Sequence, residues 1–441
     1  MEQRRKNLTQ LFIPICLETL LYMLSGMVDT LMLSSVNDQA VGAVGTANTY
    51  IGIFIIMFSV ISSGMVAVMT QNIGAGRPGV AYQARQLGLV FNAALGVIMS
   101  LFLSLGAGTI LSGVGVADAL MQPAKTYLQI VGGFCILNAL IPICSSYLRA
   151  FGFSKEPLYA SIIGNVINFC LNAFFLFVLH KGVAGVATAT VISRIINLVI
   201  VVLLGAVLVK AKQHPERESN RAVMGQIIRI GFPSACETAI YNVSMTLVIR
   251  FLNQMDAQGL NVTARSYTMQ ITNFSYCVGA ALAQANAIMT GWHIGAKEYD
   301  ACDRGTKKAA VIGVIVAVIL ETVFTLCSGW IMQLFSKDPQ MVSLVGKLLA
   351  IDIVLEIGRV TNLVYGQALK TSGDAVFPVV MGACFMILCS VGGTYLFGIR
   401  LGLLAVGAYI GMTGDECVRA VGMYLRWKSG KWKEKGLVKS R

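Results

Sequence analysis

Charged residues are scarce. Asp, Glu, Lys and Arg make up 12% of the 441 residues and 56% are hydrophobic, whereas a soluble domain is roughly 25% charged, so most of this length cannot face water. No polar tract is long enough for a separate soluble domain. Histidine is almost missing: His180, His214 and His293 stand apart without ligand spacing, which leaves a zinc site without support. No glycine-rich loop follows a strand pattern, so a phosphate-binding enzyme is not indicated; the 45 glycines suit close helix packing instead. The 11 cysteines form no C-x-x-C pair, and most, such as Cys16 and Cys389, sit in apolar stretches as small hydrophobes.

What the chain has is long apolar runs. A membrane span needs about 20 apolar residues, and with short connections roughly 35, so this length accommodates about twelve spans. Runs bounded by Gly, Pro or charge fall near 8–35, 42–73, 80–111, 122–149, 156–179, 183–210, 225–253, 258–294, 300–333, 340–369, 376–398 and 402–427, predicting an all-α integral membrane protein of twelve transmembrane helices. The amino terminus begins with basic residues, but Pro14 and Glu18 interrupt its apolar run and no small-residue cleavage site follows. It reads as the first span, retained.

The formal charge of +13 raises nucleic acid as a partner, but Lys and Arg are spread through short loops with no basic, aromatic-interleaved stripe. Counted alternately, loops on one side hold Arg4, Arg5, Arg77, Arg149, Lys155, Lys212, Arg217, Lys297, Lys307, Lys370 and the basic end from Arg426; the other side holds Lys125, Lys181, Lys337 and Arg400. Such a bias places both termini in the cytoplasm and the chain in the cell (inner) membrane. The most polar internal stretch, 211–224, is the natural hinge. The expected organisation is a six-helix bundle over 1–210, a cytoplasmic linker over 211–224, a second six-helix bundle over 225–427 and a basic cytoplasmic tail over 428–441.

The two halves repeat each other. Pro14, Glu18 and Tyr22 recur as Pro233, Glu237 and Tyr241 at an offset of 219, Met69-Thr70 as Met289-Thr290 at 220, and Ile73-Gly74-Ala75 as Ile294-Gly295-Ala296 at 221. LRAFGFSKEP (148–157) aligns with LKTSGDAVFP (369–378), again at 221. Six spans separate equivalent positions, so both halves enter the membrane in the same direction, as parallel repeats.

Ionisable residues inside spans are costly and mark functional sites by default. Asp29 lies well inside the first span; it is either a proton or Na+ site or a hydrated residue at the helix end. In span ten, Asp352, Glu356 and Arg359 share one face, Glu356 and Arg359 are spaced to pair, and Asn362 extends the stripe. Glu237 is expected beside them, shaping a polar cavity. Arg359 is either a static salt bridge to Glu356 or Glu237 or part of a coupling site. Pro14 and Pro233 bend the first helix of each half, as a gating hinge or as a fixed kink.

The chain resembles the multidrug and toxic compound extrusion (MATE) transporters over essentially its whole length. The resemblance rests on GMVDT (26–30), QNIGAG (71–76), LRAFG with its repeat LKTSGD, NVINFCLN (165–172), GVAGVATAT (182–190) and GDECVR (414–419), in their order, spacing and duplication. It implies two six-helix bundles around a central cavity and cation-coupled efflux by alternating access. It also implies a cation site at Asp29, Asn168, Asn172 and Thr190, for Na+ or a proton; the alternative for the two Asn residues is interhelical hydrogen bonding. Two positions depart from the family: Asn172 stands where Asp is common, which weakens a permanent Na+ site, and Arg359 stands where an acid is expected. The resulting expectation is an H+ or Na+ antiporter for amphipathic, cationic organic compounds, with the lipid bilayer and small molecules as partners, no nucleic acid, no enzymatic activity and no cofactor beyond the coupling ion. A lipid-linked precursor flippase is the alternative; it would line its cavity with Arg194, Arg250, Arg265 and Arg359. Oligomeric state is not legible.

Overall fold

The computed structural model describes residues 6–35, 38–113, 116–210, 214–256, 259–333 and 335–438. Arg4, Arg5, Lys212 and the last residues of the basic tail, all counted in the charge pattern above, lie outside them. Every apolar run becomes a helical segment, and no strand occurs among the described residues. In chain order these are α1 (Leu8–Ser34), α2 (Asp38–Gly74), α3 (Pro78–Gly113), α4 (Asp118–Tyr127), α5 (Ile136–Ala150), α6 (Lys155–Ala173), α7 (Gly182–Leu208), α8 (Asn220–Met255), α9 (Leu260–Gly295), α10 (Tyr299–Leu326), α11 (Ser328–Met332), α12 (Pro339–Ser372), α13 (Val376–Phe385) and α14 (Leu404–Lys428). At about 1.5 Å per residue, the 27 residues of α1 are long enough for a hydrocarbon core of about 30 Å.

Among the described residues, seven helices are long and apolar enough to cross a membrane, and one bent pair, Asp118–Gly132 with Ile136–Ala150, adds an eighth. Outward faces are apolar: Leu105 is 83% exposed and Leu326 80%, a cost in water and none in lipid. The helices outside that set, α8, α9, α12 and α14, carry polar or charged side chains turned inward, such as Asn286, Glu356 and Arg419.

Local chemistry explains the breaks. The bend between α4 and α5 is 43° and falls at Gly132-Gly133, where a Cβ on Gly132 would stand 3.0 Å from the Leu103 side chain. The Ile136 N–H, released from the ladder, donates to Ser100 Oγ at 3.1 Å. Pro14 sits inside a continuous α1; having no N–H, it frees the Gln10 carbonyl, which accepts from Ser154 Oγ at 3.0 Å. Wide π-helical turns end the fifth span at Phe174–Val178 and recur in the eleventh at Thr394–Arg400.

Internal contacts divide the chain into Met1–Gly231 and Phe232–Arg441. The division lies inside α8, later than the hinge expected from the polar stretch. The reason is close packing: a Cβ on Gly64 would overlap the Ile227 carbonyl and one on Gly231 the Val60 carbonyl, so the first turns of α8 lie against α2. In the first unit α1 packs on α6, and α6 on α7. In the second, α12 is the hub, packed by α9, α10 and α14. The end of the chain, expected as a basic tail, folds back: Trp432 is 1% exposed and stacks on Trp427 with ring centroids 4.2 Å apart.

Candidate functional site

In the first unit, the sequence-identified residues on α1 and α6 meet. The i, i+4 spacing places Asn168 and Asn172 on one face of α6, and both are buried. Asn172 Nδ2 donates to Asp29 Oδ1 at 2.7 Å and to Asn168 Oδ1 at 3.2 Å. That leaves Asn172 Oδ1 buried with no hydrogen-bond partner, an oxygen able to accept from a proton donor or coordinate a hard cation. Thr190 on α7 is buried, but its hydroxyl donates to the Val186 carbonyl of its own helix at 2.9 Å, not to Asp29. One turn further on, Arg194 acts electrostatically on Asp29 and on Tyr127, whose hydroxyl bonds Asn48. Arg194 was named in the sequence only as a cationic lining residue; that its charge acts on Asp29 is a tertiary fact.

The second unit repeats the scaffold without this site. At the offset of 221, Asn172 and Thr190 correspond to Gly393 and Gly411. A Cβ on Gly393 would stand 2.8 Å from Gly411 Cα, so two backbones touch where the first unit places an amide and a hydroxyl. At the offset of 219, Asp29 corresponds to Val248, which is fully buried.

The polar residues of the second unit gather elsewhere, around α12. Glu356 pairs with Arg359, and Arg359 Nε lies 3.6 Å from Glu416 Oε1. Asn362 Nδ2 donates to Glu416 Oε2 at 3.0 Å. Arg419 grips Asp415 at 2.8 and 2.9 Å and reaches Glu416 Oε1 at 2.9 Å; Ser390 Oγ adds a bond to Asp415 Oδ2 at 3.0 Å. Asp352 stands in the same group with Glu356 and Glu321, their oxygens within 4.8 Å of one another. Glu237 is placed differently from the expectation. It pairs with Lys370 at 2.5 Å and lies against Gly382, reaching the network only as a charge acting on Arg419. The reason is the helical register: Glu237 lies one turn beyond Pro233, level with the end of α12 and not with its middle.

Sequence reasoning missed Glu321, Asp415, Glu416 and Arg419. A signal for Glu321 was there: it is a lone acid in the apolar run 309–326. Asp415, Glu416 and Arg419 lie inside GDECVR, which marked the family without a role for its charges. Pro14 and Pro233 both lie inside continuous helices.

The MatE family profile matches residues 14–174 and 233–396, one copy in each half. An uncharacterized transporter of Bacillus subtilis, YisQ, is 34% identical over 431 residues, covering 96% of this chain and 94% of that protein. A probable multidrug resistance protein NorM of Thermotoga maritima is 23% identical over 446 residues, covering 98% and 94%. Among solved structures, the outward-facing conformation of a multidrug resistance MATE family transporter of the MOP superfamily superimposes with a TM-score of 0.86 at 18% identity, covering 98% of this chain and 96% of that one; at that identity the likeness speaks to the fold. The two profile matches, the full-length relatives and the twelve helical segments in duplicated halves agree: the chain belongs to the MATE family of multi-pass membrane transporters.

Proposed function

We propose that this protein is a cation-coupled antiporter that exports amphipathic, cationic organic compounds by alternating access, with both termini in the cytoplasm and the inward gradient of H+ or Na+ as driving force. The observation that carries this reading is the contact of Asp29 with Asn172, which sets a carboxylate beside a buried, unpartnered amide oxygen inside a membrane span. A carboxylate in that place costs several kcal/mol unless a partner or a bound cation offsets it, so binding and release of a cation change the energy of the bundle around α1 and α6. Asp29 carries the coupling, Asn172 orients it, and Asn168 and Thr190 supply further oxygens. The relatives named as multidrug resistance proteins support a drug-like cargo, and the Asp29 carboxylate inside the span suits a cationic one.

The test is efflux of a cationic dye from proteoliposomes under imposed gradients. Export driven by a pH gradient alone identifies H+, and export driven by a Na+ gradient at equal pH identifies Na+. Export independent of both gradients would overturn the coupling.

A further inference from the structure

Where α9, α12 and α14 begin, the second unit opens a cavity of about 540 Å³, within the roughly 300–1,000 Å³ of small-molecule pockets. Leu260, Leu344, Leu404 and Val406 give it an apolar wall, and Gln340, Ser343 and Lys347 of α12 give it a polar edge. Asn261, also in the lining, is already engaged: its Oδ1 accepts from the Ala405 N–H at 3.0 Å, and its Nδ2 donates to Asp256. The groups left to meet a ligand are therefore those of α12.

Two positive charges at this cavity have no acid of their own. Lys347 makes no ion pair or hydrogen bond among the described residues. Arg265 is 5% exposed, its Nε has no partner, and its one hydrogen bond goes to Met245 Sδ at 3.7 Å. It lies one turn below Asn261 on the same face of α9, and its charge reaches Tyr409, one turn beyond Val406 on α14. The nearby acids are committed elsewhere. Asp256 accepts from the Leu260 and Asn261 N–H groups at 2.8 and 3.0 Å, and Asp338 from the Gln340 N–H at 2.9 Å; Asp352 also acts on Tyr409 but stands with Glu321 and Glu356 under the charge of Arg359. Nor does the duplicated scaffold demand these cations: at the offset of 220 Arg265 corresponds to Gly45, and at 221 Lys347 corresponds to Thr126.

Depth decides what kind of anion fits. The 34 residues of α12 span about 51 Å, roughly 20 Å more than the hydrocarbon core, which leaves about 10 Å beyond it at each end. Lys347 stands eight residues in from Pro339, about 12 Å along the axis. That is the boundary between headgroups and chains. We propose that the cavity holds an anionic phospholipid, its phosphate on the Lys347 ammonium with the Ser343 hydroxyl and the Gln340 amide as further donors, and one acyl chain along Leu344, Leu404 and Val406. Arg265 adds positive potential from below, and an anion at Lys347 balances two charges that the protein leaves unmatched. On the topology proposed above the lipid belongs to the outer leaflet; its binding depends neither on that topology nor on coupling at Asp29.

The experiment is native mass spectrometry of the purified full chain in detergent, titrated with phosphatidylglycerol, with phosphatidylcholine as the lipid of no net charge and glycerophosphoglycerol as the headgroup without chains. Saturable retention of phosphatidylglycerol is expected, with weaker retention of phosphatidylcholine and no displacement by the free headgroup. Lys347→Gln is expected to weaken phosphatidylglycerol retention about fivefold, and adding Arg265→Gln to remove the preference between the two lipids. Lys337→Gln, at an exposed lysine outside the cavity, should change nothing. Leu344→Trp, which fills the cavity at constant charge, should weaken retention and serves if the Arg265 variant does not fold. Equal retention of both lipids by the wild type, unchanged retention in Lys347→Gln or in Leu344→Trp, or an equal loss in Lys337→Gln would overturn the site; displacement by the free headgroup would show an anion site that holds no lipid.

Discussion

Glu18 on α1 and Arg149 on α5 are joined by an ion pair at 2.6 Å, and the repeat-related residues Glu237 on α8 and Lys370 on α12 are joined at 2.5 Å. The pair ties the first helix of each half to its fourth. It also accounts for two sequence features at once: the acid one turn beyond each Pro, and the basic residue in LRAFG and LKTSG. In each pair the side chains are only 11–14% exposed, so the partners are largely withdrawn from solvent.

Breaking one pair from one side strands a poorly hydrated charge. Glu237→Ala is expected to cost on the order of 3 kcal/mol, the range seen when one partner of a buried pair is removed. Glu237→Gln with Lys370→Met should recover much of that loss. Thermal unfolding of the purified variants checks both expectations; equal stability of the single and double changes would show the pair to be hydrated.

Asp29→Asn is expected to abolish gradient-driven dye export while leaving expression and monodispersity intact, since Asn preserves shape and a hydrogen-bonding group. Asn172→Ala removes one hydrogen bond to a charged partner, worth roughly 1.5–3 kcal/mol, and so should lower export roughly tenfold or more. Measurements in energised vesicles decide the point, and undiminished driven export by Asp29→Asn would refute the assignment.

Arg359 faces both Glu356 and Glu416. Arg359→Met should therefore reduce folded yield sharply, because buried Glu356 loses its counter-charge and Glu416 keeps only Arg419. Adding Glu356→Gln should restore part of it, with Glu416 still held by Arg419 at 2.9 Å. Fluorescence-detected size exclusion reads the yield, and full tolerance of Arg359→Met would exclude a structural pair.

Asp374, in the turn after α12, binds Arg426 at 2.7 Å and Lys435 at 2.8 Å, clasping the end of the chain where the Lys435 carbonyl lies against Gly373. Burial alone would raise this carboxyl, but the hydrogen bonds from Arg426 and Lys435 outweigh it and hold it below its ordinary value of 3.8. A depressed carboxyl stabilises the clasp fully above that value, and the contribution is lost as pH falls through the lower folded value. The Trp427 and Trp432 emission should therefore stay constant from neutrality down to pH 3.8 and change only below it. Asp374→Asn should expose Lys431 and Lys433 to trypsin at neutral pH, with wild-type cleavage rates refuting the clasp.

The sequence by itself determined the elements. Twelve apolar runs, their boundaries and the parallel repeat follow from local hydropathy and from residues such as Pro14 and Pro233, whose covalent structure acts wherever they stand. The lone acid Asp29 and the i, i+4 pair Asn168 and Asn172 are each readable along the chain, but it was the resemblance to the MATE transporters that implied they form one site. Only the tertiary structure decided which charges meet. Glu321 sits 31 residues from Asp352, and their proximity arises from the packing of α10 on α12, which no periodicity encodes. Likewise Glu237 pairs with Lys370 and not with Glu356, because the partner of a buried charge is set by its depth along two packed helices.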